Sequence, residues 1–306
     1  MKPHEIRLES AARDVGRASE SSVGETWTIQ RVILWTSDYF KKKGIDSPRL
    51  TAELLLAHAL SCDRVRLYTD FDRPLNKDEL AAFRSLVERK GAGEPVHYLL
   101  GRREFFGRSF KVDARVLVPR PETELVAEAA LEKLGPDSDQ PILELCTGSG
   151  CLGLTLVAER PSARLVAVDL SAAALDVARE NAAALGLVPR VELLEGDLFA
   201  PVAGRTFTLL VANPPYVATG VIPTLKPEVQ REPQLALDGG ADGLAVLRRI
   251  VLGAPSALVS GGWLVLEIGE GQGAAVLDLF AQAGLSEGSI RQDLARLERI
   301  ALARRP

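Results

Sequence analysis

The most constraining feature of this chain is the alternation of short apolar runs with amphipathic segments through its second half. Five runs rich in β-branched and other apolar residues predict β-strands at 141–145, 163–169, 190–196, 206–213 and 262–269. Helical periodicity predicts helices at 120–134, 152–160, 171–185, 242–253 and 272–284. This order predicts an α/β fold, a doubly wound and mostly parallel sheet with helices on both faces. Such sheets bind their ligands at the carboxyl ends of the strands.

The residues before this alternation have a different organisation. Residues 27–93 carry helical periodicity, with Asn76 as a candidate N-cap, and predict a small domain of three to five helices. Residues 94–118 alternate around a central glycine and predict a linker that contains a β-hairpin. Residues 1–26 are polar and predict a mobile tail. The α/β domain is therefore expected to span 119–306.

Composition excludes several classes of protein. The chain is 46% hydrophobic and 25% charged, so it is neither largely disordered nor fibrous. Its longest uncharged stretch, 250–266, is broken by Pro255 and glycines, which predicts no membrane span, and the charged first twenty residues predict no signal peptide. Cys62, Cys146 and Cys151 form no CxxC pair, and the three histidines none at i,i+4, so we expect no disulfide framework and no metal site. We expect a cytoplasmic protein.

Charge is distributed unevenly. Residues 121–306 hold 15 Lys and Arg against 24 Asp and Glu, a net of −9, which predicts no direct nucleic-acid binding because phosphate contacts need cations. Residues 101–120 hold 6 against 2. This basic stretch either faces an anionic partner or forms a solvated hairpin, and the residues do not decide between the two.

A glycine-rich loop follows the first predicted strand. Its glycines at 148, 150 and 153 spell GxGxxG, the dinucleotide fingerprint, so NAD is one candidate ligand. Glu144, four residues earlier, would repel a pyrophosphate and suits a cationic ligand instead. An acid before a glycine-rich loop resembles motif I of S-adenosylmethionine-dependent methyltransferases. The candidate cofactor residues of this loop are Glu144, Cys146, Thr147, Gly148, Ser149 and Gly150.

Acidic residues also end the next two predicted strands. A carboxylate at Asp169, followed by Leu170, can accept hydrogen bonds from both hydroxyls of a ribose, in NAD and S-adenosylmethionine equally. Asp197 and Leu198 stand where this methyltransferase class contacts adenine. The alternative at both positions is an ordinary helix N-cap, which the place of Asp169 at a strand end disfavours.

The fourth predicted strand ends in Asn213, Pro214, Pro215 and Tyr216. The prolines fix the backbone and remove two N–H donors, so carbonyl acceptors dominate, and the tyrosine supplies a flat wall. We expect Asn213 Oδ1 and the Pro214 carbonyl to accept both hydrogens of a planar NH₂ group, with neighbouring backbone anchoring the Asn213 amide. A purely structural turn is the alternative. Asn213, Pro214 and Tyr216 are the candidate catalytic residues, and Asn213 also borders the cofactor.

The order of these segments resembles the release factor glutamine methyltransferases (PrmC, or HemK) over residues 28–306. The resemblance rests on 94–124 with its RPETE, on ELCTGSG, on NPPYV, on 232–244 and on the closing DLARLERIALARR, which looks like the family's last strands. It implies a Rossmann-like methyltransferase domain that uses S-adenosylmethionine to methylate the glutamine of the Gly-Gly-Gln motif in class 1 peptide chain release factors. It also implies that residues 27–93 help to hold that partner.

Carried over residue by residue, the resemblance implies that the substrate glutamine meets Asn213, Pro214, Pro215 and Tyr216. It places Arg120 and Glu122 at the border of the cofactor pocket, with a salt link between domains as the alternative. Glu144 and Cys146 depart from the family's usual Asp and Gly, which leaves the cofactor pose open.

The sequence disfavours four other functions. The net charge disfavours methylation of an exocyclic amine of a nucleic-acid base, and the RPETE sequence disfavours methylation of a ribosomal protein's glutamine. The NPPY sequence disfavours both an NAD-dependent oxidoreductase and a non-enzymatic binding module.

Overall fold

The computed structural model describes residues 26–135, 139 and 141–306. The predicted mobile tail therefore lies, except for its last residue, outside the described residues. The chain forms two compact units that meet in sequence between Ala92 and Gly93. No helix within the described residues has the length and apolar character needed to cross a membrane.

In the first unit, the described residues from 26 onward form four helices, α1 (Ile29–Lys42), α2 (Pro48–Ala59), α3 (Arg64–Thr69) and α4 (Lys77–Gly91). Their apolar faces enclose a small core that includes Phe40, Leu55 and Leu67, each fully buried. The predicted start of α4 is confirmed, because the side chains and backbones of Asn76 and Glu79 form a reciprocal capping box. The sequence did not predict α3, whose six residues are too few to show a helical period.

The second unit begins with helix α5 (Val96–Leu100) and the predicted hairpin, β1 (Arg102–Phe105) and β2 (Arg108–Lys111). The Phe105 and Phe110 rings are buried, and they pack with apolar residues of helix α6 (Pro121–Lys133). The hairpin therefore belongs to the second unit.

The other strands are β3 (Pro141–Leu145), β4 (Arg164–Asp169), β5 (Val191–Glu195), β6 (Phe207–Ala212), β7 (Leu258–Glu267), β8 (Ser286–Gln292) and β9 (Glu298–Arg304). They form a seven-stranded sheet in the order β5-β4-β3-β6-β7-β9-β8, which confirms the predicted fold class. Strands β3 to β7 are parallel, and β9 runs antiparallel to both β7 and β8. The remaining helices are α7 (Cys151–Glu159), α8 (Ala172–Ala184), α9 (Ala245–Ala257) and α10 (Gly273–Gln282).

Side-chain alternation along the strands builds one core on each face of the sheet. On one face, Leu143 and Leu145 pack in a cluster with α9 and α10. On the other face, Ile142 packs in a cluster with α6 and α7. Helices thus cover both faces, as the strand and helix alternation predicts.

Two segments differ from the sequence prediction. Helix α9 continues past Pro255 to Ala257, and β7 begins at Leu258. Pro255 lies in the last turn, where a missing N–H removes only one helical hydrogen bond. Strand β8 was not predicted, because it is an edge strand whose mostly exposed polar residues show no apolar alternation.

Candidate functional site

The sheet register brings four residues into one row at the carboxyl edge. Leu145 pairs with Val168 on one side and with Ala212 on the other, and Ala212 pairs with Leu266. The next residue of each strand is therefore adjacent in space. These residues are Cys146, Asp169, Asn213 and Glu267. The row crosses β3 and β6, where the chain reverses its direction across the sheet and where open α/β sheets bind ligands.

A cavity of about 250 Å³ opens above this row. Most of the predicted cofactor residues line it, namely Glu144, Cys146, Thr147, Gly148, Ser149, Asp169, Leu170, Asp197, Leu198 and Asn213. Pro215 also lines it. The other predicted site residues lie outside its wall, namely Gly150, Pro214, Tyr216, Arg120 and Glu122. What each residue binds stays a prediction.

Both carboxylate oxygens of Glu144 are engaged inside the glycine-rich loop. One accepts from the Gly153 N–H at 3.0 Å, and the other accepts from the Thr147 hydroxyl. Burial raises the pKa of Glu144 to about 7, and these two donors oppose that rise. A Cβ at position 153 would lie 2.4 Å from Glu144 Oε2, so glycine is required there. Glu144 therefore holds the loop against the start of α7.

Two residues of the cavity wall have positive φ although neither is glycine. Cys146 has φ +58° and Leu198 has φ +50°. A side chain costs roughly 1–2 kcal/mol in this region of backbone space. A glycine would avoid this cost, so Cys146 and Leu198 both carry backbone strain at the cavity wall. Burial raises the pKa of the Cys146 thiol, so it stays protonated and unreactive.

Asp169 organises the backbone around the cavity. Its Oδ2 accepts from the Gly148 N–H at 2.8 Å, and its Oδ1 accepts from the Ser171 N–H at 2.9 Å. The N-cap of α8 is Ser171, whose side chain accepts from the Ala174 N–H, so Asp169 is not that cap. Burial raises the pKa of Asp169 above its usual value. Each oxygen keeps a further lone pair that can accept from a ligand.

Asp197 lies at the outer rim of the cavity. Its Oδ2 pairs with the Arg249 guanidinium at 2.7 Å, and about half of each side chain is exposed. Leu198 beside it is buried. The structure therefore offers an apolar side chain and a solvated ion pair at this end of the cavity.

The Asn213 amide is anchored by a side chain distant in sequence. Its Nδ2 donates to Thr123 Oγ1 at 3.1 Å, and Thr123 Oγ1 donates to Glu267 Oε2 at 2.6 Å. The expectation that neighbouring backbone anchors this amide is wrong. The anchor comes from α6, because the end of β6 packs against the first turn of that helix. This bond leaves Asn213 Oδ1 as the atom that can accept from a ligand.

Tyr216 is held at both ends. Its hydroxyl donates to Glu267 Oε1 at 3.1 Å, and its carbonyl accepts from Gln272 Nε2 at 3.0 Å. Glu267 is 1% exposed and accepts from two hydroxyls, and burial raises its pKa to about 7. One buried carboxyl group therefore positions both ends of the NPPY segment.

Arg120 forms an ion pair with Glu232 at 2.7 Å, and Glu232 also accepts from the Val118 N–H at 3.0 Å. All three residues belong to the second unit, so the alternative of a salt link between domains is wrong. The pair joins two segments whose neighbouring residues, Pro119 and Pro233, line the cavity. Glu122 lies in the first turn of α6.

Sequence reasoning missed three residues of this arrangement. Thr123 stands inside the RPETE sequence, and Glu232 opens the segment 232–244, so both lay within motifs already singled out. Glu267 is an acid inside the apolar run LVLEI at the carboxyl end of a predicted strand. A buried acid at that end of a strand is itself a signal for a site. Across the described residues, no group of three His, Cys, Asp or Glu is placed to hold a metal ion.

Comparisons with known proteins agree with this architecture. A family model for the PrmC N-terminal domain matches residues 31–101, and one for the methyltransferase small domain matches 123–226. Similarity to solved structures is at the level of the fold. A methyltransferase from Pyrococcus furiosus has a TM-score of 0.50 at 16% identity, with 65% of this chain and 90% of that chain covered.

Curated relatives are much more similar in sequence. The release factor glutamine methyltransferase of Geobacter sulfurreducens is 44% identical over 277 residues, which cover 90% of this chain and 96% of the relative. That of Cereibacter sphaeroides is 46% identical over 264 residues, covering 86% and 93%. The predicted methyltransferase class is confirmed. The chain belongs to the release factor glutamine methyltransferase family.

Proposed function

We propose that this enzyme transfers a methyl group from S-adenosylmethionine to the side-chain amide nitrogen (N5) of the glutamine in the Gly-Gly-Gln motif of class 1 peptide chain release factors. The observation that carries the proposal is the Asn213 amide, fixed by Thr123 on the wall of a cavity that also contains Asp169. Family membership supports the same activity, because the relatives are named for it.

The chemistry of the cavity fits the cofactor. Asp169 offers carboxylate acceptors for two ribose hydroxyls, and Leu198 offers a buried apolar surface for a purine ring. Glycine at 148, with φ +55°, lets the loop backbone approach a ligand closely. When bound, S-adenosylmethionine supplies a methyl group on a positively charged sulfur.

Asn213 and Pro214 would orient the amide that receives the methyl group. An amide nitrogen is a weak nucleophile because its lone pair is delocalised into the carbonyl. Asn213 Oδ1 and the Pro214 carbonyl would accept its two hydrogens. These bonds would fix the nitrogen and make its lone pair more available for attack on the methyl group. The two prolines keep this backbone rigid, and the Tyr216 ring would form a wall for the glutamine side chain.

The helical unit is proposed to hold the release factor, since contacts remote from the reacting atoms position a protein substrate. Its match to the PrmC N-terminal domain supports this division of labour. The net charge of −9 over residues 121–306 supports a protein substrate over a nucleic acid. We also propose that the protein is cytoplasmic.

The proposal is tested with labelled S-adenosylmethionine and, in separate reactions, a purified release factor, a ribosomal protein fraction and DNA. We expect label in the release factor alone, and none when the glutamine of its Gly-Gly-Gln motif is replaced by alanine. Label in DNA or in the ribosomal proteins would overturn the proposed substrate.

We predict that Asp169→Ala weakens cofactor binding while the protein stays folded. The variant leaves two ribose hydroxyls without a charged acceptor, which costs about 1.5–3 kcal/mol, or roughly 10- to 150-fold in Kd. Isothermal calorimetry with S-adenosylmethionine measures the change. Asp176→Ala is a matched control, because Asp176 is exposed and pairs only with Arg179 among the ion pairs of the described residues. Equal affinities for Asp169→Ala and the control would remove Asp169 from the cofactor site.

A further inference from the structure

The chain of hydrogen bonds behind Asn213 has a fixed direction. Asn213 Nδ2 donates to Thr123 Oγ1, and Thr123 Oγ1 donates to Glu267 Oε2. A threonine hydroxyl has one hydrogen, so once that hydrogen points to Glu267 the oxygen can only accept from Asn213. The direction of the bond at Glu267 therefore decides which end of the Asn213 amide faces Thr123.

The two groups behind Asn213 are buried, so their protein partners determine the directions of their hydrogen bonds. Thr123 is 2% exposed and Glu267 is 1% exposed, so both groups are almost completely shielded from bulk water. The two oxygens of Glu267 take one hydroxyl hydrogen each, from Thr123 and from Tyr216. An ionised carboxylate accepts both hydrogens and donates none. A protonated carboxyl group brings a third hydrogen into the same space, and one hydroxyl must then turn its hydrogen elsewhere.

We propose that ionised Glu267 is a positioning residue that acts through the Thr123 hydroxyl to keep the Asn213 oxygen available to the substrate amide, and that protonation of Glu267 releases this orientation. With Glu267 protonated and donating to Thr123, the threonine hydrogen can turn to Asn213 and favour the flipped amide. The flipped amide presents NH₂ where the substrate needs an acceptor. This inference rests on the proposed function of Asn213.

The charged and titratable groups around Glu267 come from several elements. Glu122 on α6 raises its pKa, and Arg299 on β9, which pairs with Asp293 at 3.1 Å, lowers it. Tyr216 stays neutral, because burial and Glu267 raise its pKa. Cys151 at the start of α7 also stays protonated, since burial raises the pKa of its thiol to about 12. Glu267 is thus the group of this cluster that titrates near neutral pH.

The sign of the pH effect follows from these groups. Burial raises the pKa of Glu267 to about 7, so the carboxyl group is ionised and Asn213 correctly oriented above that pH. As pH falls through about 7, Glu267 binds a proton and the productive orientation is lost. We expect kcat to be constant at pH values above the pKa of Glu267. Below that pKa, kcat should fall with decreasing pH, and the slope should approach tenfold per pH unit.

The test uses Thr123→Val, which has the same shape without the hydroxyl, and Thr123→Ser, which keeps it. We expect kcat of the valine variant to fall about tenfold, because a buried NH₂ loses its partner. Its acid limb in the kcat profile should disappear, while cofactor affinity measured by calorimetry stays within about twofold. The serine variant should restore the acid limb and most of the rate that the valine variant loses.

A second measurement does not depend on activity. The side-chain amide resonance of Asn213, assigned by its absence in Asn213→Ala, should shift with pH in the wild-type protein with a midpoint near 7. That shift should be absent in Glu267→Gln, which cannot titrate. A wild-type pH profile in Thr123→Val, or an Asn213 resonance that does not titrate, would overturn the inference. Failure of the wild-type enzyme to methylate a release factor would instead overturn the proposed function.

Discussion

Asn213→Ala should reduce kcat by about 10²–10³, or roughly 3–4 kcal/mol, the usual loss when one preorganised acceptor of a transition state is removed. The side chain lines the cavity, and its amide is fixed by Thr123 at 3.1 Å, so the wild-type enzyme has no reorganisation to make when the substrate arrives. Cofactor affinity should fall much less, because the loop and Asp169 remain. Single-turnover rates at saturating cofactor measure the first quantity, and calorimetry measures the second.

Asn213→Asp separates the role of the acceptor from the role of its orientation. The carboxylate accepts with both oxygens and needs Thr123 to donate to it, which requires a protonated Glu267. We therefore expect more activity than in Asn213→Ala, and a rate that rises as pH falls, opposite to the wild-type profile. A near-normal rate in Asn213→Ala would show that the NPPY segment does not orient the amide. The methyltransferase assignment would then rest on family membership alone.

The fold was predictable because its signals are local. The runs at 141–145 and 163–169 become β3 and β4 almost residue for residue, since strands buried on both faces must be continuously apolar. Strand β8 was not predictable, because an edge strand needs no apolar alternation. The antiparallel placement of β9 between β7 and β8 was not predicted either, because strand order depends on contacts between distant segments.

The candidate site also has some residues that the sequence predicts and others that it does not. Asp169 and Asn213 follow strands, so their place at the carboxyl edge follows from the sheet. The role of Glu144 was not predictable in this way, because an acid before a glycine-rich loop indicates a group that faces a cationic ligand. In the structure both of its oxygens are used to hold the loop. Thr123 reaches Asn213 across 90 residues of sequence, and no local pattern encodes such a contact.

Arg120→Ala should lower the free energy of unfolding by about 3 kcal/mol at pH 8, because it leaves a buried carboxylate without its counter-ion. Glu232 is 5% exposed, whereas about a third of the Arg120 side chain is exposed, so the loss should lie at the lower end of the range for buried pairs. Arg205→Ala is the matched control. It breaks an ion pair with Glu192 in which each side chain is at least 40% exposed, and it should cost about 1 kcal/mol or less.

The pH dependence of Arg120→Ala tests the cause of the loss. Burial raises the pKa of Glu232 already in the wild-type protein, and loss of Arg120 raises it further. The folded variant then binds a proton more tightly than the unfolded chain, so its stability falls as pH rises between the two pKa values. Denaturation should therefore show a smaller loss of unfolding free energy at pH 5.5 than at pH 8. Adding Glu232→Gln to Arg120→Ala should remove most of this difference between the two pH values. An equal loss at both pH values would mean that Arg120 stabilises the segment by packing alone, since an uncompensated charge at Glu232 must depend on its protonation.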